Sequence, residues 1–179
     1  MKKIFLVLVM ILGNVLSGSG QIMNKVVGGQ KVVTTPTFTA ARCYLYDAGL
    51  EFSHRVNGTK NITATVVLWG SGGLKGFAGL NLKCNGRWMY LRGYGYSRAK
   101  GYNCKIKKTG GTLYAELKMP VSSRQLVDIS KYGVSEVQLF FRTGPKDYSS
   151  VGATLPEANR AIWEQSNYFM FYLYKTNAL

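Results

Sequence analysis

Apolar and polar residues alternate with period two along much of this chain, and most of the alternating runs are bounded by Gly, Asn or Pro. In Thr112 to Met119, the apolar Leu113, Ala115, Leu117 and Met119 interleave with Thr112, Tyr114, Glu116 and Lys118. Extended backbone places these two sets on opposite faces, one dry and one wet. The same criterion predicts strands over Lys25 to Thr35, Thr37 to Asp47, Leu50 to Val56, Asn61 to Trp69, Leu80 to Cys84, Arg87 to Arg92, Tyr102 to Lys107, Val134 to Arg142 and Tyr168 to Lys175. Asn57-Gly58 and Asn85-Gly86 separate such runs and supply the two positive-φ positions of a tight hairpin turn.

Two segments carry helix signals instead. Ser122 or Ser123 opens one through about Lys131, with Leu126, Val127 and Ile129 apolar and Gly133 as the stop. Thr154-Leu155-Pro156-Glu157 has the spacing of a capping box with Pro in the first turn, opening a helix through about Gln165. No internal repeat or linker divides the chain. The expected fold is mainly β: a single antiparallel β-sandwich or barrel-like domain with one or two short helices.

The first twenty residues follow another plan. Lys2 and Lys3 precede an apolar run of 13 residues, Ile4 to Leu16, and the small residues Ser17 to Gly20 follow it. That is the layout of a secretory signal peptide, and the run is short of the ~20 residues a membrane-spanning helix needs. The expectation is a signal peptide over 1–20, cleaved near Gly20, and a single secreted β-rich domain over 21–179, placing the protein in a periplasm or outside the cell.

Export permits disulfides. Of Cys43, Cys84 and Cys104, the pair Cys84 and Cys104 flanks a turn-rich segment and is the expected disulfide bond, worth ~3 kcal/mol on a chain-entropy argument. Cys43 is left as a buried, inert thiol. The single histidine, His54, excludes chemistry that needs two imidazoles, and three scattered cysteines cannot build a four-cysteine zinc site. No metal, cofactor or catalytic residue is assigned.

Charge narrows the function further. The chain carries 23 Lys and Arg against 8 Asp and Glu, a formal +15, and removal of residues 1–20 leaves +13. Residues 52 to 115 hold no acid across 64 positions but eleven bases. Such an asymmetry implies a positive potential over one half of the fold, which concentrates anionic partners. Within that stretch Trp88, Tyr90, Arg92, Tyr94, Tyr96, Arg98, Lys100 and Tyr102 all occupy even positions. Aromatic planes interleaved with cations suit stacked rings joined by charged linkages. A competing reading, preferred for Trp88 and Tyr90, buries them in the core of a hairpin. Fifteen residues would make a ~50 Å strand, so the segment must turn and the stripe divides.

The candidate binding residues are therefore Arg87, Trp88, Arg92, Tyr94, Tyr96, Arg98, Lys100, Tyr102, Lys105, Lys107 and Lys108. The glycine-rich Gly70 to Gly79 fits no phosphate-loop spacing and reads as a flexible loop, and His54 reads as a structural or surface residue. The expected function is an exported, noncatalytic binding protein whose basic, aromatic-rich half engages an anionic surface or polymer: envelope glycolipid, acidic glycan or nucleic acid. The alternatives are a secreted membrane-acting toxin, pore-forming or membrane-docking, and a secreted hydrolase using His54.

Overall fold

The computed structural model describes residues 22–43, 46–56, 62–70, 76–97, 107–109, 111–142, 148–152 and 156–178. The expected signal peptide lies outside the described residues, as do Arg98, Lys100, Tyr102, Cys104 and Lys105. Among the described residues the strands are β1 (Met23–Val27), β2 (Gln30–Thr34), β3 (Phe38–Cys43), β4 (Tyr46–Arg55), β5 (Ile62–Gly70), β6 (Gly76–Cys84), β7 (Arg87–Arg92), β8 (Lys107–Thr109), β9 (Thr112–Val121), β10 (Glu136–Arg142) and β11 (Tyr148–Gly152). The helices are α1 (Ser123–Tyr132) and α2 (Pro156–Lys175).

The strands form two antiparallel sheets. The larger runs β1-β2-β4-β5-β9-β8, with β3 also paired to β4; the smaller runs β11-β10-β6-β7. Neither closes into a barrel among the described residues, so the sandwich half of the expectation holds. Inward-facing Leu50, Phe52, Val66, Leu68, Leu117 and Met119 of the large sheet meet Leu80, Leu82, Leu91, Val137 and Leu139 of the small one in a single core. The alternation read in Thr112 to Met119 is realised in β9, where Ala115, Leu117 and Met119 are buried while Tyr114, Glu116 and Lys118 are exposed. The two sheets meet at a corner: Gly93 N–H donates to Ala78 O at 3.0 Å, and Tyr94 N–H then donates to Lys118 O at 3.0 Å.

Several boundaries differ from the sequence expectation, each for a local reason. The run Lys25 to Thr35 is two strands, because Gly28 (φ 57°) and Gly29 (φ 77°) form a two-residue turn. Gly49, expected to separate strands, lies inside β4, where a Cβ would sit 3.1 Å from the Trp69 ring. The strand expected from Leu80 begins at Gly76, so the second half of the glycine-rich segment is sheet, while residues 71–75 lie outside the described residues. The helix at Ser123 behaves as read: Ser122 caps it, Gln125 completes the capping box, and Gly133 (φ 68°) ends it.

The largest correction is at the C-terminus. Tyr168 to Lys175, read as a strand, is the last part of α2, which runs without interruption from Pro156. Its buried residues are Ala158, Ile162, Gln165, Ser166, Phe169 and Leu173, a helical stripe that lies on α1 and β3. Two polar residues interrupt that stripe in the sequence. Ser166 is accommodated because its hydroxyl donates to Trp163 O at 2.8 Å within the same helix.

Candidate functional site: a groove between β7 and α1

The site is built on the hairpin of β6 and β7. Asn85 (φ 48°) and Gly86 (φ 72°) fill its turn as expected. A two-residue turn makes Cys84 and Arg87 a hydrogen-bonded pair, and Leu82 and Met89 the next. Trp88 and Tyr90 therefore direct their main-chain N–H and C=O groups away from β6. β7 ends the small sheet, so among the described residues no strand covers that edge. Side chains alternate about it: Leu91 is fully buried, whereas Tyr90 is 58% exposed on the outer face. The core reading is thus overturned for Tyr90.

Helix α1, following β9 after one residue, stands opposite this edge. Between them lies an open groove of about 550 Å³, within the usual range of ligand sites. Arg87, Trp88 and Tyr90 line one wall, Arg124, Asp128 and Tyr132 the other. Neither Arg87 nor Arg124 has an ion-pair partner among the described residues. Arg124, Asp128 and Tyr132 were not anticipated as site residues, since they lie beyond the acid-free stretch and only the return of the chain as α1 brings them to β7.

Cys84 lines the groove as a buried thiol with no bonded cysteine among the described residues, and Cys104, the partner expected for it, lies outside them. Desolvation, and secondarily the charge of Asp128, pushes its pKa up from 9.0 to about 11. It is protonated at neutral pH and a poor nucleophile. His54 is buried on β4, opposite Ile62 and Val33.

The remaining candidates are distributed. Arg92 is part of the sheet's own packing: its guanidinium donates to Leu80 O (3.1 Å), Leu91 O (3.0 Å) and Asn81 Oδ1 (2.7 Å). It also lies 3.7 Å from the Phe140 ring centroid and 5.3 Å from that of Tyr90. Burial lowers its pKa, which the neighbouring Tyr96 and Tyr90 partly offset. Gly79 makes this arrangement possible, because it pairs with both Arg92 and Phe140 and leaves a gap between them on the outer face. Arg92→Ala is expected to cost about 2 to 3 kcal/mol, since three carbonyl-type acceptors lose a charged donor. For a chain of this size that lowers the thermal midpoint by roughly 5 to 10 °C. Arg87→Ala, at the exposed end of β7, should leave the melting curve unchanged, and equal curves for the two variants would contradict this division of roles.

Tyr96 packs edge-on to Phe140 with centroids 6.0 Å apart, and Tyr94 turns to the large sheet, its hydroxyl 3.2 Å from Thr63 Oγ1. Lys107 is exposed on β8 at the far edge of that sheet, where Lys108 also belongs to the strand. Lys83, behind Trp88, forms an ion pair with Glu136, so part of the basic stretch is neutralised by an acid from outside it. A smaller hollow of about 250 Å³ on the large sheet mixes Lys25, Arg55 and Lys118 with Glu51 and Glu116 and is close to charge balance.

One further surface stands out. The last turns of α2 expose Tyr168, Phe171 and Tyr174, the last being 75% accessible, with Lys175 Nζ 4.7 Å from the Phe171 ring. No acid follows Glu164 in the chain. No helix among the described residues is long and apolar enough to cross a membrane. No protein-family model, curated protein or solved structure matches this chain.

Proposed function

We propose that this is an exported, noncatalytic binding protein that engages an anionic polymer through the groove between β7 and α1. The observation that carries the reading is the pairing of two guanidiniums without an ion-pair partner among the described residues, Arg87 and Arg124, one from each wall, with the exposed Tyr90 and the neighbouring Trp88. Guanidinium groups take carboxylate, sulfate or phosphate in bidentate fashion, and the flat rings stack on sugars or bases. The wider basic stretch, including Lys107 and Lys108, adds long-range attraction.

A second reading rests on the exposed Tyr168, Phe171, Tyr174 and Lys175 of α2. Tyrosines with polar tips, an apolar phenylalanine and a cation together are the composition of a surface that settles at a lipid headgroup layer, as a membrane-docking toxin would.

One experiment compares them. Binding to a sulfated glycan, single-stranded DNA and anionic vesicles is measured at two salt concentrations for the parent, for Arg87→Glu with Arg124→Glu, and for Phe171→Ser with Tyr174→Ser. The groove reading expects polymer binding that weakens with salt and falls at least about tenfold in the arginine pair variant. Unchanged polymer affinity in that variant would sink it. Vesicle binding lost only in the α2 variant would favour the second reading.

A further inference from the structure

Resting on the groove reading, we propose that the groove takes a carboxylate-bearing sugar, so that the anionic polymer is an acidic polysaccharide of the uronate kind. The groove is not uniformly basic. Asp128 on α1 lines it together with Arg87 and Arg124, and Asn85 of the hairpin turn lines it as well. A heavily sulfated chain, most of its hydroxyls substituted, or a phosphodiester backbone presents chiefly acceptors and negative charge to its surroundings, so Asp128 opposes its approach at short range. A uronate presents both kinds of group: ring hydroxyls that donate to a carboxylate, and its own carboxylate for a guanidinium. Asp128 thereby changes from an obstacle into a specific acceptor.

The aromatic wall agrees with a saturated ring. Arg92 lies over Tyr90 at 5.3 Å, yet Tyr90 remains 58% exposed, enough accessible ring to take the C–H face of a sugar. A cation held behind the ring fixes its orientation before any ligand arrives. The main-chain groups that Trp88 and Tyr90 turn to the edge supply one further donor and acceptor each, in the alternating order that a hydroxyl-rich chain can follow.

The sign of the Asp128 effect separates the ligand classes. Removing a negative charge strengthens binding to any partner recognised by charge alone, and weakens binding to one whose hydroxyls Asp128 accepts. The probes are polygalacturonate, the same polymer methyl-esterified, dextran sulfate and single-stranded DNA, titrated calorimetrically against the full chain and its Asp128→Asn and Tyr90→Ala variants. The expected result is that polygalacturonate binds more tightly than dextran sulfate and loses at least about tenfold on esterification. Asp128→Asn should weaken polygalacturonate binding about tenfold while leaving dextran sulfate binding equal or tighter, and Tyr90→Ala should weaken the uronate selectively. Thermal midpoints of both variants check that the fold is retained, and Tyr90→Ala carries the test if Asp128→Asn does not fold. Binding of dextran sulfate or DNA in preference to the uronate overturns the sugar assignment and leaves the groove reading standing. So does tighter uronate binding in Asp128→Asn. Binding of none of the probes overturns the groove reading, and this inference with it.

Discussion

Gly79→Ala is expected to abolish the native fold. Gly79 lies in β6, the strand between β7 and β10, with φ at 157°, and a Cβ built there falls 1.9 Å from the carbonyl oxygen of Leu91 and 2.9 Å from its carbonyl carbon. Both atoms are main chain of the paired strand β7, so no side-chain rotation relieves the overlap. Relief requires the two strands to separate where β6 already shifts register against β10, between Phe140 and Phe141. The cost is above about 4 kcal/mol, against a total stability on the order of 5 to 15 kcal/mol. The gap that lets Arg92 reach Phe140 would be lost as well. Gly95→Ala is the control: its φ is 74° with nothing within 4 Å of the added carbon, so only the ~1 to 2 kcal/mol of a left-handed alanine applies. Circular dichroism and urea unfolding of the two variants check the contrast. A Gly79→Ala protein that melts close to the parent would mean that the strands do not approach as described.

Phe169→Ala should cost about 3 to 5 kcal/mol, the range for emptying a fully buried aromatic site. Phe169 is 0% exposed and stacks on Phe52 of β4 at a centroid distance of 6.2 Å, which in turn meets Phe38 of β3 at 6.2 Å. With Ile162 and Leu173 it carries α2 into the core. The thermal midpoint should drop by roughly 6 to 20 °C. Phe171→Ala should leave it nearly unchanged, because Phe171 is 60% exposed. This pair distinguishes the helix from the strand first read there. A strand places Phe169, Phe171 and Leu173 on one face and would make both substitutions costly; a helix buries Phe169 with Leu173, four residues apart, and turns Phe171 outward.

That segment also shows why local pattern misleads. Between 168 and 174, aromatic and aliphatic residues occupy every position, so a period-two and a period-3.6 reading both fit. The deciding residues lie earlier, at Ala158 and Ile162, and the stripe connecting them passes through Gln165 and Ser166, polar yet buried. In the hairpin of β6 and β7 the opposite holds. Asn85-Gly86 specifies the turn, the turn specifies the register, and the register sends Trp88 and Tyr90 outward. The even-numbered stripe is realised on one face by Trp88, Tyr90 and Arg92, although the sequence reading preferred the core for Trp88 and Tyr90, and its continuation to Tyr94 and Tyr96 is divided by the corner at Gly93, where the chain crosses to the large sheet.

What the amino-acid order determined alone is local: alternation, turn chemistry and caps act over a few neighbouring residues, and they specify the β class, the ends of β7 and the start of α1. The basic excess is equally a property of composition. The tertiary structure alone decided which charges are spent and which remain. Arg92 is consumed by carbonyl oxygens and Phe140, and Lys83 by Glu136, 53 positions away. Arg87 and Arg124, 37 positions apart in the chain, face one groove with Asp128. Pairing between distant residues depends on how the sheets and helices stack, and no spacing along the chain encodes it.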